Sequence, residues 1–393
     1  MAREASETGF AASEEALILA AQEKTGLTEF GVGPWREGLG VLLRAYDEEA
    51  RFSRAGEARA RDDLVHVLAA RLKVQEAWRR EPGCLGGELL QPIFVLGLPR
   101  TGTTALHFLL AQDPAHQVLE YWLAASPRSR PPRETWEREP DFLRAALGLR
   151  QIYAQDPGLK AIHLMEADGP EECRHLLMQS FLDDSFDSNA SVPSYTKWFH
   201  QQDLRSAYER HRDILKLVGS ATPERRWVLK YPAHLRNLEA VRAIYPDACF
   251  VWTHRDPAQV LPSLCSLVVG YRSLYEDDVD VRAVGAWQLE MWSELVSAGR
   301  RARLAADPAC FYDLQFADLL ADPVAAARGA YEYFGIEFSA EAERRMQAWH
   351  AANPQGKHGG HRYSAEDFGL SQAAIDARFA EYRAAFGVGR AQP

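Results

Sequence analysis

The sequence predicts an α/β fold: a three-layer, P-loop-like arrangement with a short, mostly parallel sheet that is flanked by helices and preceded by a helical cap. Two observations predict it. Short apolar runs typical of buried strands lie near 92–97, 227–230, 248–254 and 309–314. Longer helical patterns separate these runs, and the first run passes through a glycine-containing turn into a helix. In open sheets of this kind, ligands bind beyond the carboxyl ends of the strands.

The first 88 residues are predicted to form the helical cap, separate from an α/β domain over residues 89–393. Three amphipathic segments support this division, from Ser13 onward, from about Trp35 to Glu48 and from about Glu57 to Arg80. Glycine and proline residues over 82–87 mark the loop before the first strand. We expect the cap to contribute to a substrate pocket or to a homodimer contact.

Composition excludes several classes of protein. A net charge of −10 over 393 residues argues against nucleic acid as the main partner. No apolar run reaches the roughly 18 residues of a membrane span, and the acidic N-terminus does not resemble a signal peptide, so a cytoplasmic location is expected. The five cysteines are scattered without a C-x-x-C pair, which predicts neither a disulfide framework nor a metal site.

The turn after the first strand is almost a phosphate-binding P-loop. Gly97 and Gly102 have the spacing of G-x-x-x-x-G-K-[ST], but Thr103 stands where the lysine belongs. A loop that ends at a helix N-terminus directs backbone N–H groups and the helix dipole at an anion. The side chains available to that anion are Arg100, Thr101, Thr103 and Thr104. A nucleotide kinase would need the missing lysine, and an ordinary strand-turn-helix without a ligand is the other alternative.

The segment from Pro99 to Thr104 resembles the 5′-phosphosulfate loop of sulfotransferases that use 3′-phosphoadenosine 5′-phosphosulfate (PAPS). A second segment, 248–263, resembles the 3′-phosphate site of the same family, with Arg255 followed eight residues later by Ser263. The resemblance covers roughly residues 88–370 and is to the bacterial small-molecule type, distantly similar to tyrosyl-protein sulfotransferases. It implies that Arg255 and Ser263 bind the 3′-phosphate and that the loop, including Gly102, binds the phosphosulfate.

Three further segments complete the resemblance. Lys230 lies in a K-x-P segment and is implied to be the catalytic cation, together with Arg100. Phe316 stands where the family places an aromatic residue against the adenine. A basic segment carrying Lys357 and Arg362 resembles the loop that closes over the nucleotide. The implied reaction transfers a sulfuryl group from PAPS to a hydroxyl of a small hydrophobic acceptor without a metal ion, and a helical insertion at about 125–215 would border the acceptor.

The general base is the least determined part of the site. Glu120 is the first candidate because the tyrosyl-protein branch has a glutamate at nearly this distance from the loop, although Tyr121 occupies the position expected. His163 is the second candidate, in a segment that resembles the H-x-x-x…P-E-E region of bacterial members. Glu171 and Glu172 in that segment also fit an ordinary helix start. A catalytically silent nucleotide-binding protein therefore stays open as an alternative to the enzyme.

Overall fold

A five-stranded sheet forms the centre of the protein, seen here in a computed structural model that describes residues 9–155, 164–354 and 364–389. All strand pairs are parallel, in the order β2-β3-β1-β4-β5. The strands are β1 (Ile93–Gly97), β2 (His116–Gln117), β3 (Arg226–Lys230), β4 (Cys249–His254) and β5 (Phe311–Gln315). The predicted fold class and the four predicted strands are confirmed to within one or two residues, and β2 is an addition.

The register brings three strand ends together. Within the sheet, Val95 of β1 lies beside Lys230 of β3, and Gly97 of β1 lies beside Thr253 of β4. All five residues of β1 are buried, because apolar side chains cover both faces of the sheet. The carboxyl ends of β3, β1 and β4 therefore form one edge, at which the residues following each strand meet.

Three helices precede the sheet: α1 (Glu14–Thr25), α2 (Trp35–Glu48) and α3 (Arg54–Arg80). Helix α3 begins earlier than predicted because the Ser53 hydroxyl accepts a hydrogen bond from the Gly56 amide at 3.0 Å and caps it. These helices pack on the later helical segments. The buried Arg71 guanidinium donates to the Gln179 carbonyl at 3.0 Å, and the Trp78 indole donates to the Asp213 carbonyl at 3.3 Å.

The remaining helices surround the sheet and build the wall beyond its carboxyl edge. Between β1 and β3 they are α4 (Thr103–Leu110), α5 (Tyr121–Ala125), α6 (Pro140–Gln155), α7 (Arg174–Leu177), α8 (Ser185–Asn189), α9 (Pro193–Phe199) and α10 (Arg205–Val218). After β3 they are α11 (Leu238–Ile244), α12 (Pro257–Arg272), α13 (Val281–Leu304), α14 (Phe316–Ala321), α15 (Pro323–Phe334), α16 (Ala340–Ala352) and α17 (Gln372–Phe386). In the described part of the chain, no helix has the length and apolar content that crossing a bilayer requires.

Candidate active site

The loop between β1 and α4 has a backbone that few residues adopt. Gly97 has φ +142°, and a Cβ there would lie 2.3 Å from the Thr253 hydroxyl oxygen. Arg100 has φ +68°, in the left-handed region that costs a non-glycine residue roughly 1–3 kcal/mol. Gly102 follows with φ +88°. A strained arginine between two required glycines is typical of a ligand-binding loop.

The three threonines of this loop have different roles. Thr101 is fully buried, and its hydroxyl donates to the Leu98 carbonyl at 2.6 Å and lies 2.6 Å from the Thr253 hydroxyl. This hydroxyl stabilises the turn. Thr101 can therefore contact an anion only through its backbone amide. Thr103 and Thr104 begin α4 and line a cavity beyond the strand ends.

Arg255 follows the end of β4 and contacts the loop after β1. Its Nη1 donates to the Arg100 carbonyl at 3.0 Å, and Arg100 Nε donates to the Ser263 hydroxyl at 3.1 Å. The guanidinium carbon of Arg255 lies 4.3 Å from the centre of the Phe316 ring. Burial lowers the pKa of Arg255. The structure thus brings Arg100, Arg255, Ser263 and Phe316, which are far apart in sequence, into one group.

Helix α14 packs tightly against the same loop. A Cβ at Gly102 would lie 2.6 Å from Leu319 Cδ2 and 3.1 Å from Phe316 Cδ2. Only a glycine fits at this point, because both the positive φ and the close contact exclude a side chain. The phosphosulfate loop and the predicted adenine contact are therefore built against each other.

Lys230 lies at the end of β3 and forms a buried ion pair. Its Nζ donates to Glu172 Oε1 at 2.5 Å and to the Thr104 hydroxyl at 3.4 Å. The other carboxylate oxygen, Glu172 Oε2, lies 4.0 Å from Arg174 Nε. Lys230 is only 3% exposed, so this carboxylate compensates a charge that would otherwise be costly to bury.

A cavity of about 130 Å³ lies between the loop after β1 and Glu172, the partner of Lys230. Its polar end is formed by Arg100, Thr103, Thr104, Glu172 and Arg174. The opposite wall comes mostly from α12 and α13 and is largely apolar, with Leu264, Leu267, Val268, Tyr271, Met291 and Trp292. Asp184, Ser188 and Gln288 add polar groups at its side. The arrangement suits a molecule with one reactive polar end and an apolar body.

Glu120, the first predicted base, is held away from this cavity. It precedes α5, and its Oε2 accepts hydrogen bonds from Arg130 Nε at 3.2 Å and Nη2 at 3.1 Å. Burial raises the pKa of Glu120, while Arg130 opposes that shift. Glu120 is not among the described residues that line the cavity. The other predicted residues His163, Lys357 and Arg362 lie outside the described residues.

Glu172 is the cavity carboxylate that the sequence analysis did not select. The interpretation of Glu171 and Glu172 as a helix start is wrong: the Glu171 amide donates to the Leu119 carbonyl at 2.7 Å, and α7 begins only at Arg174. A signal was available. A lysine at the end of a buried strand needs a counter-charge, and Glu172 lies in the segment already matched to bacterial sulfotransferases.

Comparison with known proteins agrees with this geometry. Residues 92–340 match the model of the Sulfotransferase family. The chain belongs to this family. Sulfotransferase STF1 from Mycobacterium tuberculosis is 40% identical, with a TM-score of 0.87 over 95% of this chain and 100% of that one. Sulfotransferase STF9 from Mycobacterium avium is 31% identical, with a TM-score of 0.87 over 98% of this chain and 99% of that one.

Curated relatives point to the same family. Omega-hydroxy-beta-dihydromenaquinone-9 sulfotransferases of Mycobacterium bovis and Mycobacterium tuberculosis are each 26% identical over 261 residues. The match covers 62% of this chain, and the chain spans 63% of the length of these relatives.

A second group of described residues has metal-ligand chemistry. Ligand atoms of Cys173, His211 and His234 all lie within 4.8 Å of one another, and the three side chains are buried. The Nδ1 atoms of His234 and His211 each lie 2.7 Å from a tyrosine hydroxyl, of Tyr208 and Tyr245 respectively. Burial lowers the pKa of His211 to about 3, so its imidazole is neutral. None of the three is among the described residues that line the cavity.

Proposed function

We propose that this protein transfers a sulfuryl group from PAPS to a hydroxyl of a small hydrophobic acceptor and releases adenosine 3′,5′-bisphosphate. One observation carries the proposal: the hydrogen bond from Arg255 to the Arg100 carbonyl joins two anion-binding segments at neighbouring strand ends. A nucleotide with an anionic group at each side of its ribose suits such a pair. Family membership supports the reaction class.

The proposed contacts with PAPS follow from the charged and polar side chains of this cluster. Arg255 and Ser263 bind the 3′-phosphate, since a guanidinium can present two parallel N–H donors to one phosphate. The amides over residues 100–104, with the hydroxyls of Thr103 and Thr104, hold the phosphosulfate. The adenine packs against the part of the Phe316 ring that Arg255 does not cover. Lys357 and Arg362 stay predicted contacts of a closing loop.

The transfer step uses the ion pair at the end of β3. The acceptor hydroxyl loses its proton to the Glu172 carboxylate while its oxygen forms a bond to sulfur. The bond between sulfur and the bridging oxygen breaks, and its electron pair stays on the 5′-phosphate. Lys230 and Arg100 stabilise the charge that develops there. Glu172 takes the role first predicted for Glu120, because it lies at the cavity and Glu120 is bonded to Arg130.

Lys230 links the two halves of this step. In the structure described here, its ammonium holds Glu172 at 2.5 Å. As charge grows on the leaving oxygen, the ammonium shifts toward it and Glu172 loses its strongest partner. A carboxylate that loses its cation becomes a better base, so that bond breaking favours proton removal.

The acceptor wall supports a hydrophobic alcohol or phenol. Leu264, Leu267 and Trp292 present apolar surface to the cavity, which would exclude water from the reacting groups. The curated relatives are named for the sulfation of a hydroxylated menaquinone, which is a hydrophobic alcohol. No metal ion is required, because arginine and lysine side chains supply the positive charge.

Thermal unfolding with two ligands tests the proposal. Adenosine 3′,5′-bisphosphate at a hundred times its dissociation constant should stabilise the protein by about 2.7 kcal/mol, and ATP with Mg²⁺ should not. Arg255→Ala should abolish the shift, while Arg205→Ala, at an exposed arginine, should retain it. A shift with ATP and Mg²⁺ alone would instead support a nucleotide kinase.

A further inference from the structure

The C-terminal helix α17 packs against the last residue of β4 and the two residues that follow it. These residues are His254, Arg255 and Asp256, and α17 contacts them through Tyr382, Arg383 and Phe386. Helix α17 lies outside the 92–340 segment that matches the family. The contacts therefore join a region without family motifs to the predicted 3′-phosphate site.

His254 is held from two sides by aromatic residues and an acid. Its ring stacks on Phe386 with a centroid distance of 3.9 Å, and its Nδ1 lies 3.1 Å from the Tyr382 hydroxyl. Its Nε2 lies 2.8 Å from Asp313 Oδ1 on β5. His254 is completely buried, so these contacts fix where β4 ends.

Asp256, on the other side of Arg255, is held by Arg383, the residue next to Tyr382 on α17. Arg383 Nη2 donates to Asp256 Oδ1 at 2.6 Å. The same oxygen accepts from the Ala258 amide at 3.0 Å and caps α12, which carries Ser263.

We propose that Tyr382 and Arg383 are positioning residues for the 3′-phosphate site. They contact the side chains of His254 and Asp256, which lie on each side of Arg255, and so set the direction in which its guanidinium extends between the Arg100 carbonyl and the Phe316 ring. A binding group that is already ordered loses less conformational freedom when the ligand arrives. The inference rests on the proposed function, since it assigns these residues to one phosphate of the proposed nucleotide.

Two nucleotides separate this role from general stabilisation. Adenosine 3′,5′-bisphosphate and adenosine 5′-monophosphate differ only in the 3′-phosphate, and calorimetry gives the dissociation constant of each. Arg383→Gln is expected to weaken the bisphosphate about tenfold and to leave the monophosphate nearly unchanged, because the loss falls on the preorganised 3′ contact. Tyr382→Phe, which removes one hydroxyl, should change the two constants in the same pattern.

The chain offers a matched control on the same helix. Glu381 Oε2 accepts from Arg300 Nη1 at 2.7 Å and contacts none of the three loop residues described. Glu381→Gln should therefore keep wild-type affinity for both nucleotides. Arg383→Lys should recover part of the bisphosphate affinity, because it keeps a cation beside Asp256.

Each other outcome rejects the inference in a recognisable way. Equal weakening of both nucleotides in Arg383→Gln and Tyr382→Phe would make α17 a general structural support. Unchanged bisphosphate affinity in both variants would show that α17 does not position the 3′-phosphate site. If the wild-type protein binds neither nucleotide, the proposed function fails and this inference fails with it.

Discussion

The proposed donor side and the proposed acceptor wall are built in different ways. The proposed donor side consists of residues at or just after the ends of β1, β3 and β4, so that parallel strand ends bring them together. The acceptor wall consists of side chains from α7, α8, α12 and α13, whose positions depend on how helices pack. The first kind of site can be predicted from short sequence motifs, whereas the second depends on tertiary packing.

The charges of the two regions differ as well. The proposed donor side carries the cations Arg100, Lys230 and Arg255, of which Arg100 lines the cavity, whereas the proposed acceptor wall is largely apolar and its acid is Asp184. Substitutions on the two sides should therefore change different quantities. Donor-side variants should change nucleotide affinity, and acceptor-wall variants should change the KM of the acceptor. Variants of Glu172 and Lys230, which take part in the transfer step, should change kcat.

The largest expected effect is at Glu172. Glu172→Gln should lower kcat by about 10²–10⁴-fold, because the proton acceptor is lost, and should retain binding of adenosine 3′,5′-bisphosphate. The unfolding midpoint should also fall, because Lys230 loses its buried counter-charge. Turnover of labelled PAPS with a panel of phenols and alcohols measures kcat.

Glu120→Gln is the variant to compare with Glu172→Gln, because Glu120 was the first predicted base. It should lower the unfolding midpoint, since Arg130 loses a buried partner, and reduce kcat by less than tenfold, in contrast with the general-base range. A large loss of kcat in Glu120→Gln with a small loss in Glu172→Gln would identify Glu120 as the base. Unchanged turnover in both variants would reject both carboxylates.

A smaller effect is expected at Arg255 when its charge is kept. Arg255→Lys should weaken adenosine 3′,5′-bisphosphate by about 10–100-fold, because a lysine cannot form two parallel hydrogen bonds to one phosphate. The acceptor KM should stay the same, which titration at saturating PAPS tests. Arg205→Lys is the exposed control, and equal affinity in the two variants would place the 3′-phosphate elsewhere.

A variant of the acceptor wall should change the KM of the acceptor and leave nucleotide affinity unchanged. Leu267→Ala removes apolar surface at the cavity and should raise the KM of a hydrophobic alcohol about tenfold, with bisphosphate affinity unchanged. Leu304→Ala, at a leucine that is 84% exposed, is the matched control. A change in nucleotide affinity for Leu267→Ala would mean that the two regions are not separable.

The smallest effect is a pH dependence of stability beneath the acceptor wall. Burial raises the pKa of Asp183 to about 7, although hydrogen bonds from Ser185 and Tyr231 oppose the shift. In the unfolded chain this carboxyl has a pKa near 3.9, so the folded state binds the extra proton and the free energy of unfolding falls as pH rises from about 4 to 7. Asp183→Asn should remove that slope.

Thermal unfolding between pH 5 and pH 8 measures this difference. The wild-type midpoint should fall relative to Asp183→Asn by about 1 °C for each kcal/mol involved, because the entropy of unfolding grows with chain length by roughly 2.1 cal/mol/K per residue. Asp203→Asn, at an acid that is largely exposed, should keep the wild-type slope. Identical slopes in Asp183→Asn and wild type would show that Asp183 does not titrate in this range.

One physical reason explains why the sequence predicted the sheet and why the predicted donor-side residues of the described chain lie close together. Buried strands have a local apolar pattern, and the residues after them lie at one edge whatever their separation in sequence. Strand β2 was not predicted because two residues are too few for any pattern. Helix α3 extends three residues beyond its predicted start because Ser53 caps it.

The base was less predictable because partners, not motifs, define it. Glu172 is recognised by Lys230, which lies 58 residues away, and Glu120 is excluded from the cavity by Arg130. Neither relation has a local sequence signal. The cap boundary at residue 88, the homodimer, the cytoplasmic location and the roles of His163, Lys357 and Arg362 stay predictions.

The position of α17 bears on how the protein should be cut for experiments. A fragment ending at residue 340, where the family match ends, would contain every motif residue of the described donor site. It would nevertheless lack Tyr382, Arg383 and Phe386, and His254 would lose its aromatic cover. Boundaries drawn from motif conservation and boundaries drawn from packing differ here, and soluble, active fragments should require the second.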